Sequence, residues 1–266
     1  MEIEFIDYKN NENLLNFTIK EKEINGILGK DYKELVKQIK LKKDYQGTIN
    51  INGQKLLKDS IDNYNRKIGI VTSEYKFNHF IETVNDLMIY EVKRKNVKLK
   101  NSKKKIQDSL IIVGLDESYL DRKLNTLSTS ELKIIQLALA LISNPEVIII
   151  EDIFKYLDKN WEKRIIMLLQ KIKEQYSKTI VLASDNSEEI YKYTTNLIIY
   201  KNDKIIATGN TYDLMQRVDF LKKNRINIPK IVEFTYLAKK KKNIKIDYHK
   251  DVRDIIKDIY KHVLRW

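Results

Sequence analysis

Short blocks of apolar residues, alternating with polar ones or clustered together, dominate the N-terminal part of the chain. Three of these blocks have the period and length of strands. They read MEIEFIDYK, LLNFTIK and INGILG. A further segment, GTININGQKL, carries Gly47 and the dipeptide Asn52-Gly53, which predicts a two-residue hairpin turn because both residues tolerate positive φ. We therefore expect this part of the chain to consist of strands and turns.

From Tyr75 onwards, the apolar residues recur at helical spacing. Three segments predict helices on this ground: FNHFIETVNDLMIYEVKR, KKKIQDSLIIVGL and SELKIIQLALALIS. Two later blocks, VIIIED and KTIVLAS, are apolar almost throughout, as is typical of buried parallel strands, and the helical pattern WEKRIIMLLQKIKEQ separates them. The segment NLIIYKNDKIIATGN predicts another hairpin.

This order of elements predicts an α/β core with a helical insertion in the middle. We expect one continuous domain over residues 1–220, with a helical subdomain inserted at about 74–145. The pattern changes again after Leu221. Residues 221–266 are expected to form a lysine-rich C-terminal extension, whose helical part begins at Pro229.

Composition excludes several classes of function. The chain has 266 residues, of which 42% are hydrophobic, so it can bury a substantial core and is not disordered. No apolar run approaches the roughly 20 residues of a membrane-spanning helix, and the start of the chain has no secretory leader pattern. We therefore expect a soluble, intracellular protein. Because cysteine is absent and there are three histidines, we expect no metal-ligand site.

The net charge of +13 would suit an anionic partner, such as nucleic acid or the face of an anionic membrane. Basic runs lie at residues 93–105 and 239–245. No aromatic residues interleave with them as base stacking would require. We interpret the charge as a solvated, lysine-rich surface and expect no nucleic-acid partner.

Several motifs follow one another in a specific order: GILGKDYKELVKQI, FIETVNDL, VGLDESYLDRKLNTLS, LSTSE, VIIIED, KYLD and IPKIVEFTYLAKKKKNIKI. On these residues the chain resembles, nearly end to end, the ATPase subunits of energy-coupling-factor (ECF) vitamin and metal-ion transporters, a branch of the ABC ATPases. The resemblance implies an α/β fold with a RecA-like P-loop NTPase core. It also implies an antiparallel β subdomain, an inserted α-helical subdomain and a small C-terminal helical extension.

The resemblance places the phosphate loop in GILGKDYKELVKQI, which is shorter than the family's segment. Gly26 and Gly29 remain, but the later glycines, the lysine followed by Ser or Thr, and the hydroxyl that holds Mg²⁺ are missing. Lys30 and Lys33 are candidates for residual phosphate contact, whereas Glu34 falls near the magnesium position and would repel the anion. We favour a plain strand-to-helix turn, because a cradle of amides needs its glycines to approach phosphate.

The family places a Walker B aspartate and then a catalytic glutamate after a hydrophobic strand. In VIIIEDIF the order is reversed, with Glu151 before Asp152. By alignment to the family, the glutamine-loop residue is Ser73 and the switch histidine is Asp185, whose negative charge would oppose a γ-phosphate. We expect all four positions to be degenerate, and Asp152 to be a poor base because in-line attack tolerates little displacement.

The family signature, LSGGQ or LSGGE, reads Leu127, Ser128, Thr129, Ser130 and Glu131 in this chain. Both glycines have gained side chains. The helix N-terminus that receives phosphate from the opposite subunit would therefore remain but be partly crowded. Ser128 and Glu131 also match a plain capping box, and that role carries equal weight.

The resemblance assigns two further surfaces. The phrase KYLD retains Asp158, which belongs to the family's dimer loop. The segment FNHFIETVNDLMIYEVKR lies where the family receives the coupling helices of a transmembrane subunit, and Phe77, Phe80, Thr83 and Asp86 are candidate contacts there.

These positions together lead to the hypothesis of a catalytically impaired ABC ATPase subunit that pairs with a competent homologue. ABC ATPases dimerise head to tail, with each nucleotide between the phosphate loop of one subunit and the signature of the other. A heterodimer would then contain one dead site and one possibly live composite site, to which this chain lends Ser128 and its helix. ATP and Mg²⁺ would bind weakly or not at all in the chain's own site.

The further partners implied by the resemblance are a transmembrane ECF-type subunit and a substrate-binding membrane subunit, at the cytoplasmic face of the cell membrane. Two alternatives stay open: an interaction or regulatory module that has left transport, and an active ATPase with unusual ligands such as Lys30 and Lys33. The transported substrate is not predicted, because in this family a separate membrane protein selects it.

Overall fold

The computed structural model describes residues 1–73, 80–95, 102–242 and 246–263. Strands in these residues form two sheets. In chain order they are β1 (Ile3–Asn10), β2 (Asn13–Ile19), β3 (Ile24–Leu28), β4 (Thr48–Ile51), β5 (Gln54–Lys55), β6 (Ile68–Val71), β7 (Val147–Glu151), β8 (Thr179–Ser184), β9 (Asn196–Lys201) and β10 (Lys204–Asn210).

Helices cover both faces of the larger sheet and build the extension at the C-terminal end. In chain order they are α1 (Tyr32–Ile39), α2 (Ile61–Arg66), α3 (Val84–Arg94), α4 (Ser102–Ile112), α5 (Thr129–Leu141), α6 (Lys159–Gln175), α7 (Ser187–Tyr193), α8 (Thr211–Met215), α9 (Val218–Lys223), α10 (Lys230–Lys242) and α11 (Val252–Val263).

The smaller sheet has four antiparallel strands in the order β2-β1-β4-β5. The predicted hairpin between β4 and β5 is confirmed: Asn52 and Gly53 both have positive φ, +49° and +77°. Such a turn twists in the same sense as the strands it joins. Phe5 and Phe17 stack across β1 and β2 with ring centroids 4.3 Å apart, and this pair lies in the core beneath the sheet.

The larger sheet has six strands in the order β10-β9-β3-β8-β7-β6, all parallel except β10. VIIIED and KTIVLAS, predicted to be buried parallel strands, are confirmed as β7 and β8, and they pair with each other. The predicted hairpin of NLIIYKNDKIIATGN is also confirmed. Asn202 and Asp203 turn that hairpin with φ of +49° and +59°.

Alternate residues of the parallel strands point into two separate apolar clusters. Ile27 of β3 and Ile149 of β7 face the cluster that contains the small sheet and α1, whereas Leu28 and Ile150 face the cluster with α5, α6 and α7. The strands are buried on both faces, which explains their almost continuous apolar sequence. Because β3, β8 and β7 run parallel, their carboxyl ends meet at one edge of the sheet, where the candidate site lies.

The helix predicted from FNHFIETVNDLMIYEVKR is shorter than expected. Of its described residues, 80–83 are not helical, and α3 begins at Val84. Thr83 is the N-cap and forms a reciprocal capping box with Asp86. The amide of Leu124 donates to the carbonyl of Glu82, so the chain before the cap pairs with another segment instead of continuing the helix.

Hydrogen bonds join the C-terminal extension to the core: two tyrosine hydroxyls of the core donate to backbone carbonyls of the extension, and one lysine of the extension donates to a carbonyl of the core. The hydroxyls of Tyr212 and Tyr191 donate to the carbonyls of Tyr248 and His249, at 2.7 and 3.3 Å. Lys250 Nζ donates in turn to the carbonyl of Thr194 at 3.0 Å. The domain boundary at residue 220 stays a prediction. None of the helices in the described ranges is both long and apolar enough to span a bilayer.

Candidate functional site

The turn after β3 contains three residues, Gly29, Lys30 and Asp31, before α1 begins at Tyr32. A Cβ atom at Gly29 would lie 1.9 Å from the carbonyl oxygen of Tyr200, so glycine is required here for close approach of β3's end to β9. Asp31 does not cap the helix; its carboxylate accepts from the amide of Asn202 at 3.1 Å.

Gly26 is not part of this turn, and its assignment to a phosphate loop stays a prediction. It lies in the middle of β3, where a Cβ would be 2.9 Å from Oγ1 of Thr194 and 3.0 Å from a methyl of Ile190. Its lack of a side chain lets the end of α7 pack against the strand. The sequence motif could not separate these two uses of glycine.

Tyr32 fills the space between the start of α1 and the end of β7. Its ring is buried, and its hydroxyl donates to Oδ2 of Asp152 at 2.8 Å. Burial and this hydrogen bond raise the pKa of Tyr32 well above its ordinary value, so the phenol is neutral and is a hydrogen-bond donor. Sequence reasoning missed Tyr32, although its place directly after a shortened turn was a usable signal.

Asp152 is held through both carboxylate oxygens and its backbone. Ser184, at the end of β8, donates its hydroxyl to Oδ1 at 2.9 Å. The Asp152 amide donates to the carbonyl of Ala183, and its own carbonyl accepts from Lys133 Nζ, both at 3.0 Å. Asp152 also has φ of +43°, a left-handed conformation that is uncommon for residues other than glycine. Ser184 and Lys133 were likewise absent from the predicted site.

Glu151 and Ser73, predicted from separate motifs, lie in contact. The amide of Ser73 donates to Oε2 of Glu151 at 3.2 Å, and the carboxyl residue is buried. Burial raises the pKa of Glu151, and the negative charge of Asp152 adds to the rise, whereas the Ser73 amide and the charge of Lys33 oppose it. The structure thus brings four of the predicted positions together at the strand ends.

Glu34 does not join this group. It lies on the exposed side of α1, where its carboxylate accepts from Lys37 Nζ at 2.8 Å. The prediction that Glu34 falls near the magnesium position stays a prediction; in the structure the short turn starts α1 at Tyr32 and leaves Glu34 on the surface.

Asp185 lines a separate cavity of about 240 Å³ beside the Gly29 turn. Lys30, Asp31 and Arg225 also line it. Its volume is below the roughly 300–1,000 Å³ typical of small-molecule pockets. Its lining combines two carboxylates with three cationic side chains, those of Lys30, Lys201 and Arg225.

The signature residues form the start of α5, with Leu127 and Ser130 buried and Ser128 and Thr129 exposed. The predicted capping box is present: Ser128 Oγ accepts from the amide of Glu131 at 3.3 Å, and Glu131 Oε2 accepts from the amide of Ser128 at 2.8 Å. The helix start is therefore satisfied by its own side chains.

Glu131 receives further donors from the preceding segment. The hydroxyl of Tyr119 donates to its Oε1 at 3.1 Å, and Arg122 forms an ion pair with the same oxygen. The bond from the Ser128 amide, with those from Arg122 and Tyr119, lowers the pKa of Glu131 to about 2. A full negative charge consequently lies beside the helix N-terminus.

Asp158, predicted to belong to the dimer loop, is the N-cap of α6. Its carboxylate accepts from the amides of Asn160 and Trp161 at 2.8 and 3.0 Å, and the residue is exposed. In the predicted groove, Phe80 is 91% exposed, while Thr83 and Asp86 are used by the capping box.

Phe77 of the same groove lies outside the described residues. Within the described ranges, no group of three or more His, Cys, Asp or Glu side chains could hold a metal ion.

A family model described as "ABC transporter" matches residues 13–155. The chain belongs to the ABC transporter family. This cassette has the ABC ATPase fold, and its two sheets and helices match those of solved ABC cassettes. The match ends three residues before Asp158, so it covers the turn after β3, the signature and the paired carboxylates.

Two curated relatives illustrate the similarity. The energy-coupling factor transporter ATP-binding protein EcfA2 of Enterococcus faecalis is 25% identical over 229 residues, which are 83% of this chain and 79% of the relative. The EcfA2 protein of Mycoplasmopsis synoviae is 28% identical over 206 residues, covering 76% of this chain and 66% of the relative.

Solved structures agree on the fold. CbiO1 from Clostridium perfringens, described as part of the ABC transporter complex cbiONQ, superposes with a TM-score of 0.70 at 20% identity, over 88% of this chain and 98% of the other. The dimeric cassette MJ0796, in a post-hydrolysis state bound to ADP and Pi, gives 0.61 at 21% identity, over 79% and 98%.

Proposed function

We propose that this cassette is a subunit of an ECF-type membrane transporter with a degenerate nucleotide site, which pairs with a competent ATPase homologue and couples it to a transmembrane subunit. The similarity to EcfA2 proteins over more than three quarters of the chain supports the transporter class. The geometry at the strand ends supports the loss of nucleotide binding.

The observation that carries the proposal is the engagement of Asp152. Both of its carboxylate oxygens are hydrogen-bonded, one to Tyr32 and the other to Ser184. A carboxylate that assists phosphoryl transfer must instead be available to the metal or to the attacking water. Freeing Oδ2 of Asp152 would leave the hydroxyl of the buried Tyr32 without this acceptor.

The turn before Tyr32 adds a second cost. ABC ATPases hold ATP and Mg²⁺ through backbone amides, a lysine and a hydroxyl, and the Gly29–Asp31 turn lacks the lysine followed by a hydroxyl residue. Charge-assisted hydrogen bonds contribute about 1.5–3 kcal/mol each. Losing about three of them costs on the order of 5–8 kcal/mol, a factor of roughly 10⁴–10⁶ in affinity.

The remaining surfaces are suited to a partner. Ser128 and Asp158 are exposed at the starts of α5 and α6, where the family's opposite subunit docks. Glu131 already neutralises the start of α5, so any contribution of this helix to a composite site would come from the exposed Ser128 and Thr129. We place the transmembrane subunit beside α3, near Phe80.

In this scheme a substrate-binding membrane subunit completes the complex at the cytoplasmic face of the membrane. The chain's own site binds ATP and Mg²⁺ weakly or not at all, and nucleotide is held between this chain and its partner.

Isothermal titration of the purified chain with ATP and Mg²⁺ tests the nucleotide part of the proposal. We expect no saturable heat at micromolar to low millimolar ATP. A cassette with an intact phosphate loop, titrated in the same buffer, is the positive control. Micromolar affinity together with steady hydrolysis by the isolated chain would contradict the proposal.

Co-purification from detergent-solubilised membranes tests the partners. A second cassette and a polytopic membrane protein should both be recovered with the chain. Recovery of the chain alone, as a stable monomer or homodimer, would instead favour a regulatory module outside transport.

A further inference from the structure

Lys133 lies in the first half of α5, and its ammonium group reaches the turn that follows β7. Nζ donates to the carbonyl oxygens of Asp152, Ile153 and Lys155 at 3.0, 2.7 and 2.6 Å. An ammonium group has three donors, and here all three have backbone acceptors. One side chain thus forms hydrogen bonds with three backbone carbonyls of a single turn.

That turn has an unusual backbone. Asp152 and Tyr156 both have positive φ, +43° and +65°, and for a bulky tyrosine this conformation is costly. The Tyr156 side chain is 82% exposed, so burial does not offset the cost. On the other side of the turn, Phe154 is buried against Tyr193 with ring centroids 4.9 Å apart.

We propose that Lys133 is a positioning residue, whose three hydrogen bonds hold residues 152–157 in this strained shape and so fix the start of α6 relative to the start of α5. The significance of this role rests on the proposed function, because Ser128 and Asp158 cap those two helices and face the partner cassette in that scheme. The structural role itself requires neither nucleotide nor partner.

The charges around Lys133 provide a second way to test it. Burial lowers the pKa of Lys133 to about 8; the carboxylates of Asp152 and Glu189 oppose this fall, and the charge of Lys155 adds to it. Burial also raises the pKa of Glu189 to about 7. As the pH rises through about 8 to 9.5, Lys133 therefore loses its proton while Glu189 is ionised.

Amide hydrogen exchange measured by NMR on the isolated chain is the direct test. The reporters are the amides of Lys155 and Leu157, which donate to the carbonyls of Asp152 and Phe154 within the turn. In Lys133→Met at pH 7.5, we expect their protection factors to fall about 10-fold or more, with those of β8 unchanged. Lys133→Arg should keep most of the protection, because a guanidinium also donates to carbonyls.

Lys163→Met, on the exposed side of α6, is the matched control and should leave the turn unchanged. A folded Lys133→Met protein with wild-type protection at Lys155 and Leu157 overturns the proposal. If that variant does not fold, a wild-type series from pH 7.5 to 9.5 decides. A selective fall in protection at the two amides supports the role of Lys133, and constant protection overturns it.

Discussion

The turns before α1 and α5 both precede a helix that contacts Asp152, α1 through Tyr32 and α5 through Lys133, but the two helix starts are stabilised in different ways. At α5, Ser128 and Glu131 cap each other within four residues. At α1, the N-cap residue Asp31 makes no side-chain cap, and Tyr32 instead anchors the helix to Asp152 across the sheet edge. The start of α5 is capped by side chains within the same short segment, whereas the start of α1 depends on a contact between residues 120 positions apart.

In the proposed function, this difference assigns the loss of nucleotide binding to the start of α1 and not to the start of α5. A capped α5 can be preserved whether or not phosphate is ever bound. The start of α1 has a buried tyrosine, Tyr32, which packs as part of the core and bonds to Asp152. Substitutions at five positions test this contrast, in order of decreasing expected effect.

The largest effect is expected for Tyr32→Ala, which removes a buried ring and the donor to Asp152. Urea unfolding should show a loss of about 3–5 kcal/mol. Tyr32→Phe keeps the ring but leaves Oδ2 of Asp152 without this donor, and should cost about 1–2 kcal/mol. Tyr260→Ala, at a tyrosine that is 65% exposed, is the control and should stay within about 0.5 kcal/mol. Equal losses in Tyr32→Ala and Tyr260→Ala would show that Tyr32 does not anchor α1.

Gly29→Ala should cost about 2–3 kcal/mol, because a methyl group would meet the Tyr200 carbonyl at 1.9 Å and force β3 and β9 apart. The thermal unfolding midpoint measures this effect. Gly53→Ala is the matched variant: its Cβ would meet nothing within 4 Å, and its positive φ of +77° leaves a cost of about 1 kcal/mol. A smaller loss at Gly29 than at Gly53 would contradict the close approach.

Ser128→Ala removes one half of the capping box and should cost about 1 kcal/mol. Denaturant unfolding, with Thr129→Ala at the exposed neighbouring position as control, measures it. No difference between the two variants would mean that the cap does not stabilise α5.

The pH dependence of stability tests Glu131 at the same helix start. Its pKa is lowered to about 2 in the folded chain, against an ordinary value of 4.5, so its ionised form stabilises the fold above about pH 4.5. That contribution is lost as the pH falls from about 5 towards 2. Glu131→Gln should therefore flatten the fall of the unfolding free energy over this range. An unchanged slope would exclude Glu131 from the acid response.

The smallest effect is expected for Glu34→Ala. Its surface ion pair with Lys37 contributes no more than about 0.5 kcal/mol. Because the carboxylate lies on the exposed side of α1, paired with Lys37, removing it should not create ATP binding in titration calorimetry. A gain of millimolar or tighter affinity would restore the original interpretation of Glu34 as a repulsive group in the site.

Most of the architecture could be predicted from hydrophobic period and turn chemistry. The buried strands β7 and β8 and the two hairpins are examples, because each depends on residues close together in sequence. The apolar periodicity predicts a start for α3 that is too early. The pattern of the helix extends back through residues 80–83, but the N-cap at Thr83 sets the first helical residue at Val84.

The site was less predictable because its contacts are long-range. The motif order indicated Glu151, Asp152 and Ser73, and the structure brings these residues together. Tyr32 and Lys133 were missed, because the first is separated from Asp152 by 120 residues and the second reaches backbone atoms that no motif encodes.

The attachment of the C-terminal extension has a consequence for how this tail can change. Tyr212 and Tyr191 reach carbonyl oxygens at positions 248 and 249, and Lys250 reaches one at 194. Every amino acid supplies a carbonyl, so the accepting positions tolerate replacement while the donors do not. Sequence drift should therefore spare Tyr191 and Tyr212 of the core and Lys250 of the tail, while the other side chains of the tail diverge without changing the path of its docked backbone.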